Sequence, residues 1–574
     1  MKKSFKQNDR LNVAAGCGPA GAPARLRTRR WLAVSSSVAL AAAMTWSAPV
    51  LASDAETLAE IRALKAKLHK LEHRLDEQAQ TQRGVDRSGR APVETAVVKD
   101  GDGRLWPDKF FYKGITITPG GFIALENVWR SHWIGADVNT PFQNIPYGFG
   151  ATGHTNEFRF SARQSRLAML AQGDINPTTH ISAYVETDFL GAGQTANSNE
   201  SNSYNLRVRH LYTNVDWDDF GLHLLAGQSW SLTTMNTSGV KPDSVNPPAT
   251  IDAQYVPGFV WARQPQLRLV KDFGKRFWIA FSAEGAANTF AGYGALQPGL
   301  PGTTTLPLQN PILFGQAAGG GLFNAVNSYS LNRMPDMVTK AAWDPTFADR
   351  TIHVEGFGLL RDFTDRAYFG NHSVWAGGFG AGVIVPVVPK LLDIQVSGMT
   401  GRGIGRYGSA QMSDATWSAT GAPLPIHQRM LLVGATVHAT PQTDIYALAG
   451  GEFAAANPQY AKYGSSLVIG GYGNPFFNNM GCDIENDALT ALPFLSGGTA
   501  LNGAYGGNLA CSGQIRAVRQ ITGGIWHTFY QGPFGKLKAG AQYSHTVKDA
   551  FPGWGPTPKA SEDMVLTSIR YYPF

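Results

Sequence analysis

Charge is scarce in this chain. Only 16% of its 574 residues are Asp, Glu, Lys or Arg, against roughly 25% in soluble domains, so the length does not read as about four soluble domains. No run of 18 or more apolar residues follows the leader described below, which excludes a helical membrane span in that region. Catalytic signatures are missing as well. There is no Gly-x-Ser-x-Gly elbow, no His-Glu-x-x-His, no phosphate loop, and the 13 histidines are scattered, so the chain does not read as an enzyme and implies no cofactor or metal. What it has in excess is glycine, 65 residues, and aromatics, 11%.

The formal charge of +7 suggests a nucleic-acid partner until its location is traced. Residues 1–52 hold Lys2, Lys3, Lys6, Arg10, Arg25, Arg27, Arg29 and Arg30 against Asp9 alone. Removing those eight of 49 basic and one of 42 acidic residues leaves 41 of each. A basic nucleic-acid binder is therefore excluded. Basic residues 25–30, an apolar stretch from Trp31 to Met44 and the small-residue site Val50-Leu51-Ala52 read as a secretory signal peptide over 1–52. Cys17 leaves with it. Cys482 and Cys511 remain as an even pair in an oxidising compartment, and a disulfide suits them better than a metal site.

Residues 53–83 change character. Ile61, Leu64, Leu68, Leu71 and Leu75 recur at alternating spacings of 3 and 4, a heptad seam, and Glu60/Lys65 and Lys67/Glu72 stand at facing g and e positions. The segment predicts a coiled coil that joins copies of the chain into a homo-oligomer, followed by a polar linker over 84–113.

From 114 to 574 the period is two. In His180 to Phe189, Ile181, Ala183, Val185, Thr187 and Phe189 alternate with His180, Ser182, Tyr184, Glu186 and Asp188. Lys536 to Thr546 repeats the pattern. Alternation alone does not separate a soluble sandwich from a membrane barrel. Loop lengths separate them: short turns at Asn176-Pro177, Asp218–Gly221, Asp272–Lys275, Asp344-Pro345, Pro389-Lys390, Pro441-Gln442 and Gly532–Gly535 alternate with long stretches near 133–155, 190–203, 232–257, 286–330, 364–373, 405–424, 454–516 and 548–561. Seven short turns between eight long loops predict an all-β transmembrane barrel of about 16 antiparallel strands with both termini on the periplasmic side. Trp217, Phe220, Phe273, Phe277, Trp278, Trp343, Phe529, Tyr530 and Phe534 are assigned to an aromatic girdle near the turns. The closing Tyr571-Tyr572-Pro573-Phe574 is similar to the signal read by the outer-membrane assembly machinery, with Arg570 and Pro573 departing from simple alternation.

Arginines on predicted strands are the candidate solute path: Arg159, Arg163, Arg166, Arg207, Arg209, Arg263 and Arg268. A charge facing lipid at the midplane costs roughly 2–4 kcal/mol, which directs guanidiniums to the lumen. There they attract anions through paired donors, or brace the wall against acids such as Glu186, Asp188, Asp336 and Glu355; both roles stay open for each one. Parity slips between Phe160 and Leu167, so Arg163 and Arg166 share a face only if the strand carries a bulge. Thr233–Tyr255 in the third loop is expected to fold inward by its resemblance in position to the third loop of general porins, with Lys241 and Asp243 at the constriction.

Ala162-Arg-Gln-Ser-Arg-Leu167, Arg207-Val-Arg-His210, Ala226-Gly-Gln-Ser-Trp230, Gly403-Ile-Gly-Arg-Tyr407, Gln542-Tyr-Ser544 and the closing Tyr571-Tyr-Pro-Phe574, with the leader and heptads, resemble the DcaP-like trimeric outer-membrane porins. The resemblance implies a 16-stranded barrel, a trimer with a periplasmic coiled coil, and passive uptake of small anionic solutes such as dicarboxylates across the outer membrane of a Gram-negative bacterium. Two alternatives stand beside it: a sugar porin with an aromatic path through Trp230, Trp261 and Tyr255, and a structural or adhesive barrel.

Overall fold

The computed structural model describes residues 98–99, 105–106 and 109–574, apart from 192–204, 292–329, 348–349, 368–369, 419–420, 464–465, 477, 486–510 and 512. The leader and the heptad segment therefore lie outside the described residues. Sixteen wall strands close into an antiparallel barrel. They are β1 Ile115–Arg130, β2 in two pieces Glu157–Ser161 and Arg166–Asn176, β3 Thr179–Asp188, β4 Arg207–Trp217, β5 Leu222–Trp230 and β6 Arg263–Phe273. Next come β7 Phe277–Glu284, β8 Asp336–Trp343, β9 His353–Ala367, β10 Gly370–Val388 and β11 Leu392–Arg402. The last five are β12 His427–Thr440, β13 Thr443–Ala454, β14 Ile515–Gly532, β15 Gly535–Ala550 and β16 Lys559–Tyr572. β16 pairs with β1 from Met564↔Arg130 to Tyr571↔Ile123, which closes the ring. Closure matters in lipid, where an open sheet edge would leave backbone groups with no partner.

The wall is polar inside and apolar outside. Along β6, Gln264, Gln266, Arg268, Val270 and Asp272 are buried, whereas Leu267, Leu269 and Phe273 are about half exposed. A soluble sheet would bury Leu and show Gln to water. The inverted pattern recurs at Ile123, Leu125, Phe379, Leu431, Ile521, Val565 and Ile569, all exposed; lipid is the solvent that makes such an exterior stable. Aromatics ring the short-turn end at Phe220, Phe273, Phe277, Trp343, Phe529 and Phe534. Trp278 does not join them: it is buried, 5.8 Å from the His223 ring, because its parity on β7 matches inward Ala280 and Ser282.

Loop lengths segregate by end, with two corrections. The connection from β8 to β9 is not a tight turn at Asp344-Pro345 but nine residues, 344–352, carrying the small pair Thr346↔Thr351 and Phe347↔Arg350. The stretch 364–373 is mostly strand. Cross-strand pairs Thr364↔Ser373 and Asp365↔His372 zip β9 to β10, and a 2.8 Å Asp365–His372 contact reinforces them. The other long loops are L1 (131–156), L2 (189–206), L3 (231–262), L4 (285–335), L6 (403–426), L7 (455–514) and L8 (551–558). Cys482 and Cys511 are disulfide-bonded within L7.

Candidate functional site

L3 folds into the barrel. Its backbone leaves the sheet ladder, so its amides and carbonyls need other partners, and inward polar side chains supply them strand by strand. Glu284 of β7 accepts from Leu232 N (2.8 Å) and Lys340 of β8 donates to Thr234 O (2.7 Å). Glu355 of β9 accepts from Asn236 N (3.1 Å), and Asp344, in the connection at the short-turn end, accepts from Gly239 N (2.8 Å). The loop then crosses the lumen. Gln395 of β11 receives Asn246 (2.6 Å), Trp526 of β14 donates to Ala249 O (2.8 Å), and Gln542 of β15 accepts from Ile251 N (2.6 Å). On the return, Glu452 of β13 accepts from Gly258 N (2.9 Å). Here the loop backbone lies against the wall so closely that a Cβ on Gly450 would sit 2.1 Å from Pro257 O, and one on Gly258 2.1 Å from Leu431 O. Glycine is needed on both surfaces, and Gly258 also has φ 96°.

A basic cluster faces this loop from β2 to β6. A bulge in β4 builds part of it: Glu186 pairs with His210 and Thr187 with Val208, leaving Arg209 as the extra residue. One inserted residue shifts the parity, so Arg207, Arg209 and His210 all turn away from lipid. Arg207 holds Asp188 through Nε and Nη2 (2.9 and 2.7 Å). Arg209 bonds Glu186, reaches Asp188 at 3.1 Å and interacts electrostatically with Tyr255 of L3. Arg166 lies 3.9 Å from Glu186. Arg263 makes no ion pair among the described residues. It lies instead over the rings of Trp230 (4.7 Å) and Trp261 (5.7 Å).

Tyr255 holds the loop side together. Its φ of 67° is unusual for a bulky residue, and its ring packs within 5.1–6.2 Å of Phe259, Trp230 and Trp261. Among the described residues four arginines thus meet two carboxylates, and Arg166 Nε, Arg263 Nη1 and His210 Nδ1 are buried without a hydrogen-bond partner there. A buried orphan polar group costs roughly 1–3 kcal/mol, so such a concentration is disfavoured by folding alone. The basic arc continues along the wall. Arg166 and Arg570 lie over Phe122 (5.2 and 4.9 Å), and Arg570 and Lys538 over Trp526 (both 4.7 Å).

The remaining sequence-assigned residues have varied surroundings. Arg159 is half exposed beside Glu157 (3.4 Å). Arg163 lies in the break between the two pieces of β2, where a Ser165 N to Ala162 O turn (3.1 Å) provides the irregularity that the parity slip required. Its side chain bonds Asp137 (2.6 Å), Phe189 O (2.9 Å) and Gly191 O (3.0 Å), tying L1 to L2. Arg268 is buried on Gln266 Oε1 (2.9 Å) and Trp230 O (2.5 Å). Lys241 Nζ is 3.8 Å from Asp216, and Asp243 sits in the 3-10 turn Pro242–Ser244 of L3.

Sequence reasoning missed Arg361, Lys340, Arg130 and Arg570. Each stands at an inward position of a wall strand next to an outward apolar residue, as Arg570 does between Ile569 and Tyr571, and that local signal was available. Arg361, fully buried, is held by Asp336 (3.2 Å), Asp414 (3.0 Å) and the carbonyls of Ala287 and Gly403.

No protein-family model matches the sequence, and no curated protein does. Among solved structures, the outer membrane channel DcaP of Acinetobacter baumannii superposes with a TM-score of 0.52 over 80% of this chain and 99% of that one, at 16% identity. This chain therefore has the DcaP barrel fold. An anion-selective porin from Comamonas acidovorans (TM-score 0.41, 9% identity, 80% of this chain and 99% of that one) and Pseudomonas putida OprB (0.41, 9%, 79% and 94%) are too loosely alike to bear on the solute.

Proposed function

We propose that the chain is an outer-membrane porin, a passive diffusion channel for small anionic solutes of the dicarboxylate type. The observation that carries this reading is the excess of guanidinium over carboxylate where L3 meets β2–β6, with buried N–H groups left for a solute or its water. Lumen arginines act there as fixed charges and paired donors to carboxylate. Transport is downhill and needs no cofactor. In this reading residues 1–52 direct export, the short turns and the heptad segment lie in the periplasm, the coiled coil joins three copies, and the chain is inserted by the outer-membrane assembly machinery.

Planar-bilayer recording under a salt gradient tests the reading. Trimer-sized conductance steps with an anion-selective reversal potential are expected, and Arg166→Gln with Arg263→Gln should move that potential toward zero. A cation-selective channel, or a barrel with no conductance, overturns it. One observation favours a second reading: Tyr212, Tyr184, His210, Trp230, Tyr255 and Phe259 form a continuous ring series with neighbours 5.1–6.1 Å apart. Such a track suits sugars. Saturable block of the current by a neutral oligosaccharide, unchanged in the arginine variants, would favour it.

A further inference from the structure

The barrel carries a motif repeated four times toward its short-turn end. His353 has Nδ1 2.6 Å from Asp344 Oδ1 and Nε2 3.0 Å from Glu355 Oε2. His223 lies between Asp216 and Asp272, the latter at 3.1 Å. His180 bridges Asp174 (2.6 Å) and Asp218 (3.4 Å), and His438 bridges Asp444 (2.7 Å) and Asp393 (3.3 Å). A neutral imidazole has one N–H and an ionised carboxylate has none, so two carboxylates on one neutral ring leave a lone pair facing a lone pair. Each bridge is satisfied only when it holds one proton more than that.

Two of the four bridges touch L3. Asp344 and Glu355, the partners of His353, accept the amides of Gly239 and Asn236, and Glu355 also holds Lys340 (2.9 Å), whose Nζ binds Thr234 O and Asn236 Oδ1. Asp216, a partner of His223, lies 3.8 Å from Lys241 of L3. The charged groups around the first bridge are Asp344, Glu355 and Lys340, with Arg268 and Glu284 beyond Lys340. Those around the second are Asp216, Asp272, Lys241 and Lys275, with Asp218 of the His180 bridge also acting on Lys275. None of the L3 contacts described above involves the His180 or His438 bridge.

We propose that Asp344–His353–Glu355 and Asp216–His223–Asp272 are positioning groups that seat the descending arm of L3, residues 234–241, and that the extra proton in each bridge keeps the arm down. This rests on reading L3 as the constriction of a channel. Protons are present at low pH and lost as pH rises, so at the His353 bridge, whose two carboxylates favour the protonated ring, the arm is held at about pH 6 and loosened at about pH 9. The bridges on His180 and His438 have the same chemistry without the loop, and they serve as internal controls.

The test is amide exchange at Asn236 and Gly239 in the full chain, corrected for base-catalysed intrinsic exchange, with conductance recorded in parallel. Protection should fall roughly tenfold across that pH range, the size of one lost hydrogen bond to a charged group. Asp344→Asn with Asp216→Asn lets a neutral ring satisfy both neighbours, so protection should become independent of pH with the fold intact. Asp174→Asn with Asp444→Asn should leave the wild-type profile in place. A flat wild-type profile, or an equal effect of both double variants, overturns the proposal. Conductance failing in every form would sink the channel reading alone, because exchange at the two amides still reports on the seat.

Discussion

Arg361 and Arg263 are the same residue type on the wall of the same lumen, and their surroundings assign them opposite work. Arg361 is wrapped by two aspartates and carbonyls of L4 and L6, every side neutralised. Arg263 has aromatic faces and, among the described residues, a buried Nη1 without a partner. The first geometry fastens loops to the wall. The second leaves positive potential available to a visitor. Paired charge in a lumen is masonry, and unpaired charge is the part that a solute can feel.

That contrast is broken most severely at the braced site. Arg361→Met leaves Asp414 buried without its arginine and Asp336 with Arg406 alone at 3.5 Å, which costs about 3–5 kcal/mol; the urea midpoint in lipid vesicles should fall accordingly, and an unchanged midpoint would refute the bracing role. Glu186→Gln acts on the open cluster. It turns one of the two oxygens that accept from Arg209 and Tyr184 into a donor and removes the negative charge, so a loss of about 1.5–3 kcal/mol should come with stronger anion preference in reversal-potential measurements. Gly450→Val attacks the seat of L3 on the opposite wall. Its side chain meets Pro257 O, an overpacking cost of about 1–3 kcal/mol, and a higher single-channel conductance should report the displaced loop. Arg159→Gln is the smallest change. Half exposed and beside Glu157, it should leave stability within about 0.5 kcal/mol and the reversal potential unmoved.

Much of the barrel was legible in the sequence because each strand faces lipid on one side and the lumen on the other, a constraint that acts residue by residue. Ile181/Ser182 report their faces without any knowledge of a neighbour strand. Even the irregularity at Arg163–Arg166 was visible as a parity slip. The insertion at Arg209 was not, since a bulge is defined by the partner strand, and Trp278 was misassigned because an aromatic near a turn is read by position rather than by parity. The connection at 344–352 was misread for a related reason: Asp344-Pro345 is a genuine turn signal, but it opens a small hairpin instead of ending one.

The candidate site was legible only as an inventory. Sequence named the arginines without saying which were neutralised, because neutralisation is a long-range contact: Arg570 meets Glu126 from 444 residues away, and Arg361 is held by Asp414 of L6. The anchors of L3 are similarly scattered over β7 to β15.

By itself, then, the sequence determined the barrel, the segregation of loop lengths and the placing of guanidinium on its walls, since these follow from local periodicity and the cost of charge in lipid. Only the tertiary structure decided which arginines brace and which stay open, and how the histidine bridges hold the loop. Charge compensation depends on distance in space, and the closed barrel sets that distance.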